Sequence, residues 1–107
     1  MIRSGNLFAD VSDSLPAEQV FTLAESRGVK IERIVSTGQA SPPGFWYDQD
    51  ADEFVLLLQG RASLQVEGEA MPRALVAGSW AWLPAHCRHR VEATSSDPPA
   101  VWLAVHA

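Results

Sequence analysis

From residue 29 onward the chain is cut into short runs that are too brief and too β-branched for helices: VKIERIVS, EFVLLLQG, ASLQVEG, EAMPRALVAG, SWAWLPA, CRHRVEA and PAVWLAVHA, separated by Gly, Pro or Ser. Regular spacing of this kind restricts the fold to an antiparallel β-sandwich or barrel. The stretch 78–89, GSWAWLPAHCRH, gives the sharpest local reading. Trp80 and Trp82 alternate with Ser79, Ala81 and Leu83, the period of two of a half-buried strand. Pro84 cannot donate to a ladder, so the strand should stop there. In the run that follows, Cys87, His89 and Val91 share one face, and Arg88, Arg90 and Glu92 the other. The charged set costs less to leave in water, which turns His89 inward. By the same alternation, Glu53 opens a strand on the face of Val55 and Leu57 and should place a carboxylate at the mouth of the fold.

Upstream of residue 29 the reading changes. Residues 15–27, LPAEQVFTLAESR, carry the chain's single helical signal: Pro16 suits a first turn, Ser14 or Asp13 can cap it, and Val20, Leu23 and Ala24 recur at helical spacing before Gly28. The expectation is one domain over 1–107, with an extension and one short helix in 1–28 and a β-barrel over 29–107. A chain of 107 residues with 47% apolar residues, four Trp and four Phe can fill one core. A net charge of −5 and a pI near 5.0 leave no basic stripe for nucleic acid or anionic membrane. No run approaches the roughly 18 apolar residues of a membrane span, so a cytoplasmic location is expected. The lone Cys87 reads as a packed thiol and His106 as a surface residue, while SSDPP, 95–99, is the expected mobile loop. On VKIERIVS, burial of either face carries one charge inward, Glu32 or Arg33; Arg33 is expected near a strand end, reaching water.

Two clusters are more specific. Tyr47, Asp48 and Gln49 precede Glu53, which is followed by six residues and Gly60; downstream, Gly78, Pro84 and His89 stand at fixed intervals. Together they resemble the two motifs of the cupin family, most closely small single-domain bacterial cupins. The resemblance implies a cupin-type antiparallel barrel or jelly-roll sandwich and a homodimer. It also implies a divalent metal (Zn, Ni, Fe or Mn) at the barrel mouth, held by Glu53 and His89. The two histidines of the family's first motif would fall on Tyr47 and Gln49, or on Trp46 and Asp48, so neither register supplies one. Gln49 offers a neutral oxygen and Asp48 an anionic one, both weaker than imidazole for zinc, nickel or copper. His86 stands where the family has glycine and could compensate as a ligand. Two functions follow: a metal-dependent enzyme acting on a small organic molecule, with Tyr47 as proton donor, or a metal-free barrel binding a small molecule among Trp46, Tyr47, Trp80 or Trp82. A third, a structural partner that merely dimerises, draws on the aromatic surplus alone.

Overall fold

Arg27 and Gly28 both adopt positive φ, 52° and 81°, the signature of a two-residue hairpin turn. They join β1 (Gln19–Ser26) to β2 (Val29–Ser36), and Ser26 pairs with Val29 across the turn. The helix expected over 15–27 is therefore absent. Val20, Phe21 and Thr22 are poor helix formers, and β2 offers the segment a ladder running from Gln19 opposite Val35 to the turn. Pairing outweighed a weak helical propensity.

The computed structural model describes all residues from Met1 to Ala107. The remaining strands are β3 (Glu53–Gln59), β4 (Arg61–Val66), β5 (Arg73–Val76), β6 (Trp80–Leu83), β7 (His89–Thr94) and β8 (Ala100–His106). They form two antiparallel sheets, a five-stranded one in the order β1-β2-β8-β3-β6 and a three-stranded one in the order β5-β4-β7. The ladders do not join into a closed barrel, so the sandwich expectation holds and the barrel does not. No helix is long and apolar enough to cross a membrane.

Both sheets contribute to one core, in which Val55, Leu57, Trp102 and Ala104 of the larger sheet meet Ala62, Leu64 and Leu75 of the smaller. Cys87 packs against this core, as the alternation predicted. Leu57 is fully buried, worth about 1.5 to 3 kcal/mol relative to exposure. The other face of the large sheet is also apolar. Trp82 lies opposite Phe54 and Trp80 opposite Leu56, and on the far side of β3 these face Val105 and Leu103. Trp80 and Trp82 are 64% and 52% exposed. They do not line the interior as expected, because register puts Ala81 and Leu83 on the inner face and both indoles on the outer one.

Candidate functional site

The site sits where β3, β7 and β8 each present an end residue. Glu53, the first residue of β3, is paired on one side with Leu83 and on the other with His106 of β8. His89, the first residue of β7, forms an isolated bridge with Tyr47: the Tyr47 N–H donates to the His89 carbonyl at 2.7 Å, and the His89 N–H donates back at 3.2 Å. The bridge ties residues 47–49 to the cavity rim. Alternation then brings Tyr47 and Gln49 into a cavity of about 150 Å³ together with Glu53 and His89. Val55, Leu64, Leu83 and Trp102 form much of its apolar wall.

Asp48 and His86, expected as ligands, point elsewhere. Asp48 falls on the outward position of the same strand-like segment, and His86 takes a positive φ of 64° that carries its ring into solvent. They bond each other, His86 Nδ1 to Asp48 Oδ1 at 2.8 Å, a contact that holds the imidazole pKa above its ordinary value. Trp46 also faces outward, with the Arg88 guanidinium 5.7 Å from its ring centre.

Three polar residues that the motifs do not include complete the cavity: Glu18, Glu32 and His106. On β2 the buried charge is Glu32; Arg33 lies on the outer face, where its guanidinium donates to the Ala9 carbonyl at 2.6 Å and to Gln19 Oε1 at 3.2 Å. His106 is not the surface residue that its alternation with Val101, Leu103 and Val105 suggests. It shares the inner face of β8, a central strand, with Trp102 and Ala104, while the residues it alternates with, Leu103 and Val105, lie on the outer apolar face. Only the uninterrupted apolar run VWLAV hints at this.

The polar groups form a chain across the cavity. Glu32 Oε1 is 2.7 Å from His106 Nε2, which is 3.6 Å from Glu53 Oε2; Glu53 Oε1 is 3.5 Å from His89 Nε2. His89 Nδ1 lies 2.8 Å from the Cys87 carbonyl, which can only accept, so Nδ1 carries a hydrogen. Its Nε2 therefore meets a carboxylate, an arrangement that is attractive only with a proton between them. Burial opposes charge on this ring, yet the Glu53 carboxylate and the Cys87 carbonyl hold its pKa above the ordinary histidine value. Tyr47 stacks on His89 with centroids 5.3 Å apart; burial, then the charges of Glu18 and Glu53, push its hydroxyl up, so it stays a neutral phenol. Glu18 is exposed overall but turns its carboxyl inward to accept from Ser36 Oγ at 3.0 Å, and burial raises its pKa.

Residues 33–106 match the family model described as "Cupin domain". The chain belongs to the cupin family. Among solved structures, this cupin is similar to one from Ralstonia eutropha JMP134 named "putative mannose-6-phosphate isomerase", at 53% identity and TM-score 0.96, covering 99% of this chain and 98% of that one. A Thermus thermophilus structure (21% identity, TM-score 0.80, covering 99% and 97%) and a cupin superfamily protein from Desulfitobacterium hafniense (18%, 0.76, covering 99% and 92%) share its fold. No curated protein matches the chain.

The donors do not fit the metal that a cupin motif implies. Catalytic transition-metal sites use three strong protein donors; here no three His, Cys, Asp or Glu side chains converge so as to hold an ion. Glu53 and His89 meet, but the neighbouring positions carry a neutral amide, Gln49, and a phenol that resists ionisation, Tyr47. His106 Nε2 is committed to Glu32.

Proposed function

We propose that this cupin binds a small organic molecule in the cavity above Glu53 and His89 and uses that pair to move a proton, without a metal. The observation that carries the reading is the 3.5 Å contact between two side chains each about nine-tenths buried, opening on a mostly apolar cavity. Proton-transfer sites are where such perturbed, mutually dependent groups concentrate. His89 Nε2 would give or take a proton at a ligand oxygen or carbon while Glu53 stabilises the charge on the ring. Tyr47 would donate a hydrogen bond as a neutral phenol. The name of the Ralstonia protein supports the reaction class, since interconverting an aldose and a ketose is a proton transfer between neighbouring carbons. The phosphate in that name finds no counterpart here, because no Lys or Arg lines this cavity.

Two titrations test the absence of metal. Protein purified without chelator should contain only trace metal, and nickel or zinc should leave its melting temperature unchanged; near-stoichiometric metal would overturn the reading. Gln49→His should create nickel affinity, because position 49 already lines the cavity and imidazole outcompetes an amide oxygen. Asp48→His should not, because position 48 faces solvent.

We also propose that a second copy of the chain covers the outer face of the large sheet, where the row Trp82, Phe54, Val105 and the row Trp80, Leu56, Leu103 lie side by side. Exposed apolar patches of this extent mark interaction surfaces. Light scattering should report a dimer for the parent and a monomer for Trp80→Glu; a monomeric parent would contradict it.

A further inference from the structure

We propose that the molecule taken by this cavity is a cation, an ammonium group on a small and partly apolar skeleton. The inference rests on the reading that the cavity binds a small organic molecule, and it names the charge that molecule carries. Glu18, Glu32 and Glu53 face the cavity from three different segments, and no Lys or Arg lines it. Lys30 reaches Glu32 at 3.4 Å, but from the exposed end, with 44% of its side chain in solvent.

A carboxylate group of this kind could be a solvated cluster without a ligand, but Glu53 is not solvated. Its side chain is only 8% exposed, and it accepts no short hydrogen bond: the nearest donors are the imidazoles at 3.5 and 3.6 Å. One of these, His106 Nε2, already serves Glu32 at 2.7 Å. A buried carboxylate whose donors stand no nearer than 3.5 Å keeps lone pairs free for a closer donor in the cavity it lines. An ammonium group supplies up to three donors and the opposite charge at once, whereas a phosphate or carboxylate ligand would meet like charge. The remaining wall agrees, since it includes two aromatic side chains, Tyr47 and Trp102, and aromatic rings attract cations. A neutral polyol could hydrogen-bond here, but the His89 imidazolium can offset only one of the three carboxylates.

Matched ligand sets separate charge from shape. D-mannosamine, D-mannose and D-mannose 6-phosphate form one set; benzylamine, benzyl alcohol and benzoate form another. Binding to the full chain is followed by calorimetry at low and high salt. In the set that fits the cavity, the ammonium member should bind about ten-fold or more tightly than its neutral counterpart, and added salt should weaken it. Glu53→Gln should remove most of that preference. Glu18→Gln, which keeps an acceptor for the Ser36 hydroxyl, should reduce it in part. A neutral or anionic member that binds as tightly as the ammonium one, or a preference unchanged in both variants, overturns the charge assignment and leaves the cavity a binding site. Failure of every member of both sets to bind overturns the assignment together with the binding reading beneath it.

Discussion

Gly60→Ala is expected to destabilise the fold by about 3 to 5 kcal/mol, more than any surface substitution. Gly60 turns β3 into β4 at φ +87°, a conformation that L side chains rarely adopt. Crowding adds to this. A Cβ there would lie 2.6 Å from Ser95 Oγ, 2.8 Å from the Pro99 carbonyl oxygen and 2.9 Å from Ala100 Cα. Ser95 cannot simply rotate away, because its hydroxyl accepts from the Arg61 N–H at 2.9 Å and donates to the Pro98 carbonyl at 2.7 Å. The other two atoms are backbone at the entry to β8, the central strand that carries Trp102 and His106. Relief of the clash must therefore shift the strand that builds the cavity wall. Gly28→Ala is the matched control: it has a similar φ of +81° but nothing within 4 Å of its Cβ, and only the conformational cost of about 1 to 2 kcal/mol should appear. Denaturant melts of both variants check the pair, and equal losses would show that crowding at residue 60 is absorbed.

Replacing the buried pair together, Glu53→Met with His89→Leu, should have the opposite sign, raising stability by about 1 to 3 kcal/mol while abolishing ligand binding. At position 53 the change nearly conserves volume and replaces a carboxylate held only by long contacts, among Val55, Leu83 and Trp102, with an apolar chain. Sites that hold a charge ready for a ligand are stabilised by removing it. The pH dependence should change as well. In the parent, His89 has a pKa raised above its unfolded value of about 6.5, so its contribution is full below that pH and is lost as pH rises through the folded-state pKa. Without the pair that fall should flatten. Guanidinium melts from pH 5 to pH 9, read beside calorimetry with the ligand sets, test both parts; a stability loss beyond about 1 kcal/mol would make the pair a structural one.

Much of this is legible in the sequence because alternation along a strand is local. VKIERIVS coincides with β2; the inward direction of His89 and Cys87 follows from the cost of burying their charged neighbours, and that of Glu53 from its alternation with Val55 and Leu57. Local signals also mislead. QVFTLAES has residues at both helical and strand spacing, and only the waiting edge of β2 chose the strand; the clue to it is Arg27-Gly28 as a hairpin turn.

The class of fold, the family and the two motif residues that meet, Glu53 and His89, can be read from the chain alone, since each depends on a short run and its turn. The company these two residues keep depends on how distant strands pair. Glu18, Glu32 and His106 enter the cavity from segments far apart in sequence, through the pairing of β1 with β2 and of β8 with both β2 and β3. Asp48 and His86 leave it through a one-residue alternation and a single positive φ. Register between distant strands is settled by packing of the whole core, so no window of the chain could show that the carboxylates would gather here while the second imidazole came from residue 106 and not from residue 86.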